Sequence, residues 1–220
     1  MSKETLAEQI ANRLRRDILR GKLPPGTSVK ERDIGADMGV SRTPIREAIR
    51  ILSKEGLVEL RPSRSPIVAI SDFKEVADQT TVLIELEKLS AELACKTATD
   101  ADIDHLASIV NYMSENFDTI DPLDMFEVDM SFHTALASSS GNRALAETHS
   151  TFLRRLWRAR YLSARQRRNR ERVVNQHTLI LDALRARDGQ AARDAIDHHL
   201  WRLAEDIRSV IEQESANQET

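Results

Sequence analysis

The chain has 220 residues, 40% of them apolar and only 4% aromatic, with a mean hydropathy of −0.44. That is enough apolar material for packed cores, while no run of about 18 apolar residues exists to cross a bilayer. The net charge of −3 conceals an asymmetry: residues 1–70 carry 14 Lys and Arg against 9 Asp and Glu, a balance of +5, and residues 71–220 a balance of −8, so the first part can face a polyanion and the second as a whole cannot.

The N-terminus, Met1 to Glu8, is polar and lacks an apolar signal stretch. A first helix is expected from about Thr5 to Arg20, because Leu6, Ile10, Leu14 and Ile18 recur at every fourth position. Gly21 and Pro24-Pro25-Gly26 then read as a helix stop and turn. A short helix over about Glu31 to Met38 ends at Gly39, and a third begins after Ser41, with Ser41 or Thr43 as N-cap. Leu57 to Leu60 and Pro66 to Ile70 are short β-branched runs around Arg61-Pro62-Ser63-Arg64-Ser65, which predicts a hairpin. After Ser71-Asp72 only helical pattern remains, with helices expected near 73–97, 100–117, 122–139, 142–166, 169–187 and 190–213. Thr99-Asp100, Asp121-Pro122, Gly141-Asn142 and Asp188-Gly189 mark the breaks. The expected fold is therefore mostly α: a winged helix-turn-helix over 1–70 and an all-helical bundle over 71–220. The lone Cys95, in an apolar helical stretch, forms no intrachain disulfide and fits a reducing, cytoplasmic location.

A winged helix-turn-helix reads DNA with the N-terminal end of its third helix while neighbouring groups grip phosphates. Arg42 and Arg46, four apart, share the face opposite Ile45, Ala48 and Ile49. Arg suits bidentate contact with guanine, and Ser41 and Thr43 suit phosphates or base edges. Arg32 starts the second helix, and Arg61 and Arg64 occupy the wing tip. Each arginine alone is as easily a solvated surface residue; the agreement of helix order, glycine turn, cap, spacing and wing favours the set.

These residues carry a resemblance. Gly21-Lys22-Leu23-Pro24-Pro25-Gly26, Glu31-Arg32, Gly39 through Ala48, and Glu55-Gly56-Leu57-Val58 resemble the signature of GntR-type bacterial transcription regulators. The resemblance implies operator contacts by Arg32, Arg42, Thr43, Arg46 and the wing tip. One departure is visible: the usual Arg-Gly pair of the wing is Arg64-Ser65, followed by Pro66.

In the helical part, Asp129 and His133 stand at i, i+4 on one face. His177 has apolar Ile180 and Leu181 one turn on, and His199 falls with Ile196 and Leu203, so both point inward; His198 falls on the outer side with Asp194 and Arg202. Three inward histidines and an aspartate form a divalent-metal ligand set, suiting zinc first and also nickel, iron or manganese. Each histidine alone is more often a hydrogen-bonded core residue, and spacing does not establish that the helices converge. Asp129 through His133, Gly141-Asn142, Gln176-His177, Asp188-Gly189 and Ala191-Ala192 leading to His199 resemble the FCD effector domain of the FadR-like branch. That resemblance implies a metal held by Asp129, His133, His177 and His199, which helps to hold a small carboxylate effector. An arginine often stands four residues before the glutamate matching Glu87, and here it is Leu83; another cation, or a less acidic ligand, must then serve.

Nine arginines lie between Arg154 and Arg172. Leu153, Trp157, Tyr161 and Ala164 interleave them at helical spacing, so they are expected to crowd a solvated face, with one or two able to turn inward. His105 and His149 have no acidic or histidine partner at ligand spacing and are read as surface or packing residues. No nucleophile elbow, phosphate loop or His-Glu-x-x-His motif is present. The leading reading is a non-enzymatic, homodimeric, ligand-responsive regulator binding double-stranded operator DNA; a metal-dependent enzyme and a metal sensor are the rivals.

Overall fold

The computed structural model describes residues 4–166 and 169–218. The chain divides into two units, Met1–Asp72 and Phe73–Thr220.

In the first unit, α1 (Leu6–Leu19) starts at a capping box: Thr5 accepts from the Glu8 backbone N–H, and Glu8 accepts from that of Thr5. Ile10, Leu14 and Ile18 are buried as their period requires, whereas Leu6, in the first turn, is exposed. The helices α2 (Glu31–Met38) and α3 (Arg42–Lys54) are joined by a tight turn. Gly39 makes that turn at φ +66, donating to the Gly35 carbonyl. A Cβ on Gly35 would lie 3.1 Å from the Val40 carbonyl oxygen and 3.3 Å from Ile45 Cδ1, so α2 approaches α3 as closely as glycine permits. Ile45, Ala48, Ile49 and Leu52 of α3 close the core against α1. The hairpin pairs β1 (Val58–Glu59) with β2 (Ile67–Val68), antiparallel, Val58 opposite Val68. Ser28 bridges to Ile67 on the other side of β2, adding a third extended segment that no β-branched run announces.

The second unit is helical throughout its described residues: α4 (Phe73–Thr97), α5 (Asp100–Asn116), α6 (Pro122–Ser139), α7 (Arg143–Arg155), α8 (Trp157–Gln166), α9 (Arg170–Arg185), α10 (Gly189–Leu200) and α11 (Leu203–Gln218). Thr99, Asp121, Asn142 and Asp188 cap α5, α6, α7 and α10 with their side chains. The expected helices over 142–166 and 190–213 are each two. The chain bends at Leu156 and at Trp201-Arg202 because packing partners change there. α7 lies against α4 and α6 while α8 turns to α11; α10 lies against α4 and α9 while α11 packs on α8 and α4. The core, with Leu106, Met113, Phe132, Leu136, Ile180 and Ile196, holds α4, α5, α6, α9 and α10 together.

Candidate nucleic-acid interface and metal centre

At the start of α3 and along the wing, Lys30, Arg32, Arg42 and Arg64 line one hollow with Ser63 and Ser65. Three of the expected DNA contacts are thus brought together, and Ser41 and Thr43 are exposed beside them. Arg46 is engaged elsewhere. Its Nε donates to both carboxylate oxygens of Glu31, at 3.0 and 2.9 Å, tying α3 to α2 and leaving the Nη end available. In the wing, the Arg64 N–H donates to the Arg61 carbonyl at 3.3 Å across Pro62-Ser63, with Ser63 at φ +55. The left-handed residue of this wing is therefore Ser63, not the position after Arg64. Arg61 donates to the Ser65 carbonyl from Nε and Nη2, at 3.0 and 2.7 Å, so it braces the turn.

In the helical unit, α6 carries Asp129 and His133, α9 carries His177, and α10 carries His199. One donor atom from each lies within 4.8 Å of all the others. The outer ring nitrogens fix the tautomers. His177 Nδ1 donates to the Val173 carbonyl at 2.7 Å, and His199 Nδ1 to Gln176 Oε1 at 3.0 Å. His133 Nδ1 meets Glu87 Oε2 at 2.6 Å, while Arg160 Nη2, which can only donate, lies 3.1 Å from His133 Nε2. His177 and His199 therefore turn Nε2 toward Asp129, while the Nε2 lone pair of His133 accepts from Arg160, a donor that a metal at this point would have to displace. Asp129 Oδ1 and His177 Nε2 are 2.8 Å apart, yet neither has a hydrogen-bond partner and both are buried. A proton on His177 Nε2 would make this an ordinary ion pair, and a metal ion bound by both atoms would serve the same end. His133 Nε2 and His199 Nε2 are 3.4 Å apart; zinc–nitrogen bonds of about 2.0–2.1 Å put tetrahedral ligands about 3.3–3.4 Å apart. The donor set and its spacing fit a divalent transition metal.

Electrostatics agree with that fit. Burial pushes the pKa of His133 down, and burial plus the neighbouring His177 and His133 rings push that of His199 well below the imidazole range, so both favour the neutral form that a metal requires. Burial would raise the Asp129 carboxyl, but the surrounding His177, His133 and His199 rings outweigh it and hold it well below the carboxylate range.

Against known proteins, residues 6–68 match the bacterial regulatory proteins of the gntR family, and residues 79–202 match the FCD domain. The chain belongs to the GntR family of regulators, with an FCD domain. This GntR/FCD regulator is similar to the HTH-type transcriptional repressor RspR of Escherichia coli strain K12, 28% identical over 208 residues that span 94% of this chain and 91% of RspR. It is 31% identical over 203 residues to an HTH-type transcriptional regulator in an unstable DNA locus of Streptomyces ambofaciens, covering 90% of this chain and 83% of that one. Among solved structures, E. coli McbR/YncC shares the fold, with a TM-score of 0.74 at 22% identity over 96% of this chain and 99% of that one. The GntR/FCD regulator is thus a DNA-binding transcriptional regulator, as its N-terminal signature implied.

Three residues of the regulator's helical unit escaped the spacing argument. Glu87 of α4 is 1% exposed and accepts from His133, from Arg160 Nη1 at 3.2 Å and from His149 Nε2 at 3.4 Å. Burial raises its pKa, but His133, His149 and Arg160 outweigh that and keep it ionised. His149 is therefore neither a surface residue nor without an acid; its partner comes from another helix. Arg160 and Arg158 are 4% and 8% exposed, the inward turns that the arginine run allowed, while Arg154, Arg155, Arg165 and Arg170 keep to the surface; Arg167 and Arg168 lie outside the described residues.

Proposed function

We propose that the chain acts as a cytoplasmic homodimer whose operator affinity is set by a small carboxylate effector. The effector binds beside a divalent metal, zinc first, held by Asp129, His133, His177 and His199. The observation that carries this reading is the convergence of one donor atom from each of Asp129, His133, His177 and His199, on three helices, within 4.8 Å of one another. A metal bound there supplies positive charge and open positions for carboxylate oxygens. Glu87 orients His133, the Val173 carbonyl orients His177 and Gln176 orients His199, so the cluster is held in ligand geometry before anything binds. Arg160 adds a cation at the same hollow, the role that Leu83 cannot fill. The effector acts by its differential affinity for two arrangements of the dimer, which alters how the two DNA-reading units meet a twofold operator. Repression is the sign assigned, after RspR. Arg32, Ser41, Arg42, Thr43, Arg46 and Arg64 make the DNA contacts in this reading.

Metal analysis and native mass spectrometry of the purified chain test the metal and the dimer together; a metal-free monomer removes both. For the DNA contacts, Arg42→Ala and Arg46→Ala should each weaken operator binding by about 1–3 kcal/mol. Fluorescence anisotropy on a duplex selected from randomised sequence measures it. Unchanged affinity in both variants removes the assignment of α3 as the reading helix.

A further inference from the structure

The two arginines of the wing are placed differently. Arg61 is spent inside the hairpin, where its Nε and Nη2 both donate to the Ser65 carbonyl. Arg64 is exposed, and its guanidinium has no partner among the described residues. Its side chain lines the hollow between the wing and the starts of α2 and α3, together with Lys30, Arg32 and Arg42. One carboxylate, that of Glu31, shares this lining, and Arg46 already pairs with it. The residues at the tip of the turn, Pro62 and Ser63, carry no charge.

A duplex offers such a wing two places. The minor groove, about 6 Å wide, draws in a cation that projects into it. The phosphate ridge between the grooves asks only for positive charge beside it. With a helix in the major groove, that ridge passes between the helix and whatever lies over the neighbouring minor groove. A side chain turned back into the hollow beside Arg42 meets the ridge, whereas a minor-groove reader has to project from the tip, and this tip is uncharged. The cations gathered in the hollow repel one another until an anion enters. We propose that Arg64 is a phosphate clamp and not a base reader: with Arg42 it closes on the backbone between the grooves, so the wing adds affinity and register without sequence preference. This rests on the DNA-contact reading above and assigns Arg64 its role within it.

Fluorescence anisotropy of the full chain, on a duplex selected from randomised sequence and on a scrambled duplex of the same composition, tests it. Arg64→Ala should weaken binding to both by at least about threefold, with the two factors agreeing within about twofold, and should lower the salt slope by about one per half-site. On the selected duplex, single phosphates are replaced in turn by neutral methylphosphonate. The penalty at one position per half-site should disappear in Arg64→Ala, the signature of a direct pair. Replacing adenine by 2,6-diaminopurine adds an amino group in the minor groove and leaves the major-groove edge unchanged; it should cost the wild type and Arg64→Ala the same. A diaminopurine penalty confined to the wild type, or a loss confined to the selected duplex, makes Arg64 a minor-groove reader and overturns the proposal. Unchanged affinity in Arg64→Ala, or no phosphate whose penalty disappears, overturns it as well. If Arg42→Ala and Arg46→Ala are both without effect, the DNA-contact reading itself falls.

Discussion

Glu87→Ala is expected to destabilise the helical unit by about 3–5 kcal/mol, the largest effect of any single substitution in the site. The reason is what it leaves behind. Glu87 is the carboxylate that meets Arg160, His133 and His149 in a buried setting, and Arg160 is itself 4% exposed. Deleting the acid strands a guanidinium charge without water, and it removes the acceptor that holds the proton on His133 Nδ1. At about 2–4 °C per kcal/mol for a chain of this size, the unfolding midpoint should fall by about 6–20 °C in scanning calorimetry. Glu87→Gln should recover only part, because it keeps the shape and loses the charge. Glu87→Leu combined with Arg160→Met should recover much more, since removing both partners leaves no uncompensated charge. A midpoint within 2 °C of the wild type in Glu87→Ala would show that the network carries no stability.

If the proposed metal is held at this cluster, chelation is expected to lower the unfolding midpoint by about 5–10 °C. An ion at 100 times its dissociation constant stabilises by about 2.7 kcal/mol, and the conversion per kcal/mol is that used above. The proposed ligands come from α6, α9 and α10, so an ion held there would join three helices. His177→Ala and His199→Ala should each abolish the chelator response. His198→Ala should keep it, since His198 is exposed on the far side of α10. A chelator response that survives in His199→Ala and vanishes in His198→Ala would transfer the ligand role to His198.

The legible parts of this molecule are those whose cause is local. Gly39, Asp121-Pro122 and Asp188-Gly189 announce their helix ends because the required dihedral or cap belongs to the residue itself. Asp129 and His133 are readable as a pair because a helix alone puts them on one face. Leu156 and Trp201 give no such sign: each bend arises from what the flanking helices touch, and neither residue breaks a helix. The same holds inside the site. Glu87 lies 46 residues from His133, 62 from His149 and 73 from Arg160, separations at which spacing carries no information. Ser63 is a third case, since the left-handed position of the wing is chosen by the Arg61–Arg64 turn and not by a glycine.

The Glu31–Arg46 pair has a consequence for ionic strength. A protein cation that meets a phosphate normally releases a condensed counterion, and the sum of such releases sets how steeply operator affinity falls with added salt. Arg46 is already neutralised by Glu31. A phosphate contact that draws Arg46 from Glu31 leaves that carboxylate unpaired, so its net contribution falls short of that of an unpaired arginine. In the proposed reading, the slope of log affinity against log salt counts Arg42 and Arg64 in full, and Arg46 and the Asp33-paired Arg32 only in part. Glu31→Gln, which frees Arg46 without moving it, will steepen that slope by up to about one ion per half-site.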